Sequence, residues 1–598
     1  MNPLDEYQKR LASREALRDK CWAQMKNVGW ARLGFAVLFL GVIWQSFTIH
    51  IFSGWFALIP AGIFVVFAVY HERLRRAFDR AKRGVAFYQR GLDRLEDRWQ
   101  GKGNPGVEFG KNGHLYSTDL DILGDASLFE LLCTARTRAG EETLARWLCA
   151  PASRSEILKR QEAVKELRND IDLREDLALI GPEVRQGVDP VFMSEWASRP
   201  SRLNSGAAST TASILVGALF AAIAYDTLSG GNQMVLLAVI FLEAAFALFY
   251  RSRVREAIGK LTEPLIDEPV KELAVLGSAL QRMEKEDYSS EKLRQLRATF
   301  AHEGKRPSQE IATVVNLVEY LNYRRNEFFF PLSLLLLWAT RYAFAIEAWR
   351  ARCGPHIPRW LENFGEFEAL CALAGYAYEH PDEPFPEIVE GDTVLEGEDL
   401  RHPLIPASAC VPNSIQLGGE LQLLLVSGSN MSGKSTLLRT VGINAVLAQA
   451  GGPVRAKRMK LSVLAIGATL RVQDSLQAGV SRFYAEIQRL HDTMELTSGA
   501  LPVLFLLDEI LHGTNSHDRA IGAEAIVRGL IERGAIGLVT THDLALARVV
   551  DALAPRAKNV HFEDHLENGR MTFDYVLHPG VVQKSNALEL MRAVGLKV

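Results

Sequence analysis

The sequence predicts an α plus α/β protein. A helical region with two transmembrane helical hairpins precedes a P-loop domain built on a mostly parallel sheet. Three observations support this prediction: four apolar segments within the first 250 residues, helical periodicity around them, and the segment LVSGSNMSGKSTLL at 425–438. The 598 residues are enough for several domains at roughly 100–200 residues each.

Composition argues neither for nor against nucleic acid as a partner. The net charge is -3 and the pI about 6.6, so any surface that binds nucleic acid or anionic lipid has to be local. The cysteines have no CxxC pair and no zinc-type spacing, which predicts reduced, mostly buried thiols in a cytosolic setting; they are Cys21, Cys133, Cys149, Cys353, Cys371 and Cys410. The mixed-charge N-terminus lacks the pattern of a secretory signal peptide.

The first apolar pair covers residues 33–49 and 51–70. Neither segment contains a charged residue, and each approaches the ~20 residues that cross a bilayer. Arginine and lysine flank both outer ends and are absent from the connecting turn, which places the N-terminus and the downstream chain in the cytoplasm. We expect a transmembrane hairpin; the alternative is a buried core hairpin of a soluble domain.

The second apolar pair covers residues 207–228 and 234–250, again with arginines on its outer ends. Glu243 lies within it, where a charge costs about 2.5–3.5 kcal/mol on insertion scales. Glu243 must therefore face other helices or be protonated. It is either a relay or substrate group, or a hydrogen-bonded packing residue between helices.

A fifth apolar run, FFFPLSLLLLWAT at 328–340, is followed directly by Arg341. Its length is too short for a membrane span and is typical of a buried core helix. We therefore predict a core helix here.

A linker rich in proline and acid, EHPDEPFPEIVEGD at 379–392, ends the helical part. The predicted domain organisation begins with a cytoplasmic N-terminal helix (1–29), a first hairpin (30–70) and a basic juxtamembrane helix with the first part of a helical core (71–199). A second hairpin (207–250), the second part of that core (251–385) and a P-loop domain (393–598) follow.

The P-loop has the form G-x-x-x-x-G-K-S from Gly428 to Ser435 and lies between a strand pattern and a helix pattern. Such a loop turns backbone N–H groups towards phosphate oxygens, and the following helix N-terminus favours negative charge. Lys434 is expected to reach the β- and γ-phosphates and Ser435 to bind Mg²⁺. ATP and Mg²⁺ are thus the predicted ligands, with nucleotide-binding residues Gly428, Ser429, Asn430, Met431, Ser432, Gly433, Lys434, Ser435 and Thr436.

Two further strand patterns end in polar residues. VLFLLDEI at 503–510 predicts a buried parallel strand that delivers Asp508, a Mg²⁺ carboxylate, and Glu509, which would polarise the attacking water. GLVTTHD at 537–543 predicts a strand ending at His542, placed to sense or orient near the γ-phosphate. Each residue alone could be structural. Together they predict an ATPase with Lys434, Glu509 and His542 as catalytic residues and Ser435 and Asp508 at the metal.

An ABC transporter motor is disfavoured, because no LSGGQ lies between Lys434 and Asp508 and the interval is short. The interval holds QDSLQAGVSRFYAEIQRL at 473–490, and here the chain resembles the MutS family of mismatch-repair ATPases. RHPLI at 401, VPNSI at 411, GSNMSGKSTLLR, LLDEILHGTNSHD, VTTHD and FDYVLHPGVVQKSNALELMRAVGL are similar to its ATPase segments. LGDASLFELLCTARTRAGEETLARWLCAP and RQEAV resemble the start of its helical core and lever. The resemblance covers the chain from about Leu120 onwards, apart from the second hairpin.

The resemblance implies a homodimer with composite sites, in which Ser481 is offered in trans to the γ-phosphate. It also implies that the ring of Tyr575 lies against adenine, although that residue alone would pass for a core aromatic. Cys410 stands where the family often has a second adenine-facing aromatic. Other departures are Ser429 and Ser432 in place of a Pro and a Gly, and Leu511-His512 in place of Gly-Arg.

The family's mismatch-reading N-terminal domain, with its F-x-E motif, is replaced here by the first hairpin, and the second hairpin occupies part of the region of the DNA clamp. The basic residues Arg251, Arg253, Arg255 and Lys260 could contact DNA phosphates or, as we favour, anionic lipid.

The sequence predicts a membrane-anchored MutS-like ATPase, multi-pass in the cytoplasmic (inner) membrane, with its ATPase domain in the cytoplasm and mismatched or structured DNA as the implied substrate. A membrane scaffolding or remodelling ATPase that binds no DNA is the alternative. Asp226 is close enough to the end of its segment to lie at the interface, which leaves Glu243 as the lone carboxylate within the membrane. This disfavours a transporter further, so no small-molecule transport substrate is expected.

Overall fold

A computed structural model describes residues 2–48, 54–110, 114–180, 190–198, 203, 206–229, 233–262, 268–299, 306–326, 329–429, 431–470, 482–511, 515–542, 546–547, 550, 552–567 and 570–582. The chain forms two compact units. The first unit comprises Met1–Cys133, Trp147–Leu179 and Leu373–Val598, and the second comprises Thr134–Arg146 and Ile180–Ala372.

Helices dominate the structure, and strands begin only after residue 386. The helices are α1 (Pro3–Thr48), α2 (Leu58–Leu95), α3 (Leu128–Leu132), α4 (Arg138–Cys149), α5 (Arg154–Leu167), α6 (Ile171–Leu179), α7 (Pro190–Ser198), α8 (Gly206–Ser229), α9 (Gln233–Thr262), α10 (Glu268–Glu284), α11 (Glu291–Thr299), α12 (Pro307–Asn322), α13 (Phe330–Leu335), α14 (Trp338–Cys353), α15 (Ile357–Glu379), α16 (Lys434–Ala450), α17 (Arg482–Leu496) and α18 (Ser516–Glu532). The strands are β1 (Glu387–Val389), β2 (Val394–Leu400), β3 (Asn413–Gly418), β4 (Leu423–Ser427), β5 (Arg458–Ser462), β6 (Ala465–Thr469), β7 (Val503–Asp508), β8 (Ile536–Thr541), β9 (Ala557–Glu567) and β10 (Arg570–Pro579).

α1 and α2 form a long antiparallel helix pair. The predicted N-terminal helix and the first apolar segment are one continuous helix, α1, and α2 continues through the basic stretch after residue 70. Ring pairs mark the packing along the pair, with centroid distances of 5.7 Å for Tyr7–Tyr88 and 5.5 Å for Phe35–Phe67. A glycine is required at position 91, since a Cβ there would lie 2.4 Å from the Tyr7 ring.

A buried ion pair fixes the base of this helix pair. Arg94 of α2 donates two hydrogen bonds to the Glu379 carboxylate, at 2.7 and 2.5 Å, and the Tyr7 hydroxyl donates a third at 3.2 Å. The Glu379 side chain is fully buried. Arg14 adds a 2.6 Å bond to Glu175 of α6. These contacts attach the base of the helix pair to both α6 and the end of α15. The attachment is strong because breaking a buried ion pair leaves an uncompensated charge.

Four helices in the described part of the chain are long and apolar enough to cross a membrane: α1, α2, α8 and α9. Only 6% of the most apolar window of α1 and 11% of that of α2 are buried. The apolar windows of the first hairpin are therefore mostly exposed within this chain. In α9, Glu243 is 4% exposed and lies on the packed side of the helix.

The prediction of a buried core helix at 328–340 was wrong. The run is split into α13 and α14 at Leu337, which has a φ of 46°. Exposed side chains in α13 include Phe330, Leu332 and Leu334. Pro331 allows a helix only from this point onwards, and the left-handed Leu337 ends it after a few residues.

The predicted P-loop domain is organised around two sheets. In the described residues one sheet has six strands in the order β10-β9-β4-β8-β7-β6, parallel except for β10. The other has four strands in the order β1-β5-β2-β3 and is mixed. All residues of β4 and β8 are buried, as expected of parallel strands covered on both faces. The sheet is mostly parallel, as the sequence predicted.

His402, before β3, is a buried titratable group in this domain. Its Nδ1 accepts the Leu404 N–H at 3.2 Å. Burial, with Arg439 and Arg455 nearby, lowers the pKa of His402 to about 4. The neutral form is therefore built into the fold.

We predict that acid destabilises the domain through this histidine. Because the folded pKa lies below the ordinary 6.5, the stabilisation is full above pH 6.5 and is lost as the pH falls towards 4, by up to about 3 kcal/mol. His402→Asn keeps an acceptor for the Leu404 N–H but does not titrate. Its unfolding free energy, measured by denaturant titration from pH 7 to 4, should depend less on pH than the wild type; parallel curves would contradict the prediction.

Candidate nucleotide-binding site

The site lies at the edge of the six-stranded sheet where its parallel strands end. The register pairs Ser427 of β4 with Thr541 of β8, and Asp508 of β7 with Thr540 of β8. The residues that follow these strands, Gly428 and His542, therefore emerge in one row with Glu509. Three distant stretches of sequence meet here because the strands are parallel and in register.

The loop from Gly428 to Gly433 turns tightly before α16. Gly428 has a φ of 152° and Gly433 a φ of 104°, a region that side chains rarely adopt. A Cβ on Gly428 would lie 2.8 Å from the Ser432 hydroxyl. The buried hydroxyls of Ser429 and Ser432 have no hydrogen-bond partner among the described residues. Met431 is exposed, and Asn430 lies outside the described residues.

Lys434 opens α16 and is buried. Its ammonium donates to the carbonyl oxygens of Gly428 and Ser429, at 2.7 and 2.8 Å. It also lies 3.4 Å from a carboxylate oxygen of Glu509. These contacts hold the Lys434 ammonium on the concave side of the loop. Ser435 and Thr436 follow in the first helical turn, the former half-buried and the latter exposed.

Thr540 organises the two acidic residues. Its hydroxyl donates to the Asp508 carboxylate and accepts the N–H of Glu509 at 3.0 Å. Glu509 has a φ of 47°, and its carboxylate lies 3.4 Å from both Lys434 Nζ and His542 Nδ1. The structure thus brings together Lys434, Glu509 and His542, with Asp508 attached through Thr540.

Tyr575 lies beside the loop. A Cβ on Gly433 would come within 3.2 Å of its ring. Tyr575 has a φ of 56°, and its carbonyl accepts a 3.0 Å bond from Asn413 Nδ2, while Asn413 Oδ1 accepts the Leu577 N–H at 2.8 Å. Asn413 therefore fixes the backbone that carries the exposed Tyr575 ring.

Two residues that sequence reasoning assigned no role are Thr540 and Asn413. Both stand in quoted motifs, VTTHD and VPNSI, but their partners are distant in sequence. Ser481 and His512 lie outside the described residues. At the position of the family's second adenine-facing aromatic, the Cys410 sulfur accepts the His402 N–H at 3.2 Å, which is a structural contact.

Two buried carboxylates support the surroundings of the site. Glu486 of α17 accepts the N–H of Leu511, two residues after Glu509. Asp119 binds Arg489 of α17 at 2.6 Å and the Leu470 N–H at 2.9 Å. The segment around Asp119 thereby holds α17 in place, and α17 in turn holds the turn after β7.

Residues 114–374 match MutS domain III, and residues 424–597 match MutS domain V. The chain belongs to the MutS family. Residues 1–113, with the α1–α2 pair, lie outside both matches, and α8 and α9 fall inside the domain III match.

Curated relatives share the C-terminal part of the chain. The endonuclease MutS2 of Thermomicrobium roseum is 35% identical over 248 residues, which is 40% of this chain and 31% of that protein. The DNA mismatch repair protein MutS of Desulfosudis oleivorans is 33% identical over 254 residues, 41% of this chain and 28% of the relative. The DNA mismatch repair protein MutS of Thermus thermophilus is 35% identical over 234 residues, 39% of this chain and 27% of the relative. The chain spans less than a third of the length of these relatives.

We predict that Asp119→Asn destabilises the first unit by about 3 kcal/mol, because it leaves Arg489 without its carboxylate. Thermal unfolding of the purified protein, followed by circular dichroism, measures the effect. Asp125→Asn, at an exposed position in the same stretch, is the matched control. Equal midpoints for the two variants would show that the buried pair is not needed.

Proposed function

We propose that this MutS-family protein is an ATPase that works as a membrane-anchored homodimer. The observation that carries the proposal is the convergence of Lys434, Glu509 and His542 within 3.4 Å contacts beside a glycine-rich loop at a helix N-terminus. Such a loop suits phosphate, and such a carboxylate suits activation of water. The match to MutS domain V covers the same residues.

The loop residues fit a nucleotide. The unpartnered hydroxyls of Ser429 and Ser432 could donate to phosphate oxygens, and a larger residue at Gly428 or Gly433 would fill the cradle. Lys434 would exchange its carbonyl partners for phosphate oxygens. Tyr575 would pack its ring on adenine, as the resemblance implies.

The donors for Mg²⁺ would be the hydroxyl of Ser435 and the carboxylate of Asp508. Mg²⁺ is usually held by one or two protein oxygens together with substrate phosphates, so this small oxygen set fits it. When bound, the ion neutralises phosphate charge. Thr540 holds the Asp508 carboxylate, while His542 and Lys434 hold that of Glu509, the group that would take a proton from water. Ser481 of a second copy would complete the site.

The membrane part of the proposal rests on α1, α2, α8 and α9, whose apolar side chains are mostly exposed. Lipid would cover these side chains. Arg251, Arg253 and Arg255 follow the apolar part of α9 and would lie at anionic head groups, at about 1 kcal/mol each. The protein would then be multi-pass in the cytoplasmic membrane, with the ATP site in the cytoplasm.

We further propose DNA as the partner that regulates turnover. The relatives are named for DNA mismatch repair and as an endonuclease, and the chain matches MutS domain III as well as domain V. The alternative, a scaffolding or remodelling ATPase without DNA, is favoured by the hairpins that accompany the family's helical core.

The deciding experiment measures ATP hydrolysis in nanodiscs with and without duplex, mismatched and branched DNA. We expect turnover in the wild type, loss of turnover in Glu509→Gln with ATP binding retained, and normal turnover in Glu420→Gln, an exposed residue at the other end of β4. DNA should change the rate, and the change should fade with salt because phosphate contacts release counterions.

Equal rates for wild type and Glu509→Gln would refute the ATPase assignment. Turnover that depends on Glu509 and responds to lipid composition, but to no DNA at any salt concentration, would refute the DNA partner and support the scaffolding alternative.

The Thr540 hydroxyl gives a more specific prediction, because it bonds both the Asp508 carboxylate and the Glu509 N–H. Thr540→Val keeps the shape but removes the hydroxyl, so turnover should fall about 10–100-fold, the usual cost of losing a partner that orients a metal ligand. Thr540→Ser should keep most of the activity. Titration with Mg²⁺ should show a higher requirement in Thr540→Val; an unchanged requirement would separate Thr540 from the metal site.

A further inference from the structure

The polypeptide at 320–326 and 329–342, here called the α13 segment, presents apolar side chains outward. It contains the end of α12, a short 3₁₀ helix (Tyr323–Arg325), α13 and the start of α14. Four side chains of α13, those of Phe330, Leu332, Leu334 and Leu335, expose 53, 47, 63 and 41% of their surface. A contiguous apolar surface of this kind marks a binding surface.

The α13 segment packs on the second hairpin. Leu336 and Leu337 contact a cluster formed by α8 and α9, namely Ala212, Leu215, Val216, Phe246 and Ala247. Further along α14, the rings of Phe344 and Tyr250 lie 5.4 Å apart. The exposed leucines of α13 therefore directly precede the residues that pack on the hairpin.

The position of these contacts along the hairpin sets a depth. Phe246 and Ala247 precede Tyr250, the last apolar residue of α9 before Arg251, by about 5–6 Å at 1.5 Å per residue. Ala212 and Val216 follow the start of α8 at Gly206 by about 9–15 Å. Leu337 thus lies below the end of the apolar part of the hairpin by roughly one third to the whole of one leaflet, for a hydrocarbon core of about 30 Å.

Three backbone N–H groups around the break are hydrogen-bonded within the segment. The N–H of Leu336 donates to Leu332 at 3.0 Å, that of Leu337 to Leu334 at 3.2 Å, and that of Arg341 to Leu337 at 2.9 Å. The Ser333 hydroxyl donates to the Phe330 carbonyl at 2.7 Å. Hydrocarbon favours backbone groups that are bonded in this way.

Aromatic and basic residues border the apolar surface. The Trp338 indole N–H donates to the Tyr320 carbonyl at 2.6 Å, and the Trp338 ring lies 4.7 Å from that of Tyr342. Arg324 and Arg325 sit in the 3₁₀ helix, and Arg341 follows in α14. Aromatic rings and arginines with this placement are typical of the membrane–water interface, where long side chains reach the head groups.

We propose that the α13 segment enters the cytoplasmic leaflet beside the second hairpin as a re-entrant element, with Leu332, Leu334 and Leu335 among acyl chains and the arginines at anionic head groups. This inference rests on the proposed membrane insertion of α8 and α9. The occupant of the surface is lipid because the surface directly precedes the residues that pack on the hairpin and is bordered by positive charge.

The test places a bimane fluorophore on single cysteines in a parent with all six native cysteines replaced, reconstituted in nanodiscs of phosphatidylcholine and phosphatidylglycerol. The labelled positions are Leu334→Cys and Leu332→Cys in α13, Phe241→Cys in α9, and Val107→Cys, an exposed position outside the apolar helices. The parent must retain its native circular dichroism. Brominated lipid quenches labels in the bilayer, and iodide quenches labels in water.

We expect both α13 labels to be quenched by brominated lipid to the extent of the Phe241 label, and the Val107 label by iodide alone. Iodide quenching of the α13 labels with a lipid-quenched Phe241 label would overturn the re-entrant segment while leaving the hairpin intact. Iodide quenching of the Phe241 label as well would overturn the proposed insertion of the hairpin itself. Protection of the α13 labels from both quenchers would show a protein partner, such as a second copy, and would also overturn the proposal.

Discussion

The register of the parallel strands β4, β8 and β7 is the constraint on which the site depends. A shift of one residue in either pairing would turn Thr540 to the other face of the sheet and separate its hydroxyl from Asp508 and from the Glu509 N–H. The register is secured by burial on both faces, since every residue of β4 and β8 is buried. Packing energy far from the site thus fixes the positions of its polar groups.

The polar groups of the site also restrain each other. Lys434, buried against two carbonyls, needs the Glu509 carboxylate as a counter-charge, and Glu509 takes a left-handed backbone that Thr540 stabilises through a hydrogen bond to its N–H. Such backbone strain is tolerated where the surroundings over-determine it. The buried pair of Asp119 and Arg489 and the bond from Leu511 to Glu486 supply that surrounding support.

Sequence patterns were sufficient for features encoded within a short window. The P-loop at Gly428 to Ser435, the apolar strand before Asp508 and the long apolar helices are local patterns, and the structure has the corresponding loop, strand and helices. The roles of Thr540 and Asn413 depend on partners in other strands, so their hydrogen bonds could not be read from the motifs that contain them. The apolar run at 328–340 was misassigned because length and composition do not distinguish a core helix from one that is exposed on an apolar neighbour.

The ion pair of Arg94 and Glu379 has a mechanical consequence for the α1–α2 pair. α1 is 46 residues long, or about 70 Å at 1.5 Å per residue, and it is one continuous helix from the Tyr7 contact with Glu379 onwards. In a rigid helix of that length held at one end, a small rotation at the base becomes a large displacement of the far end. A rotation of about 5° at its base displaces the far end by about 6 Å, roughly one helical turn.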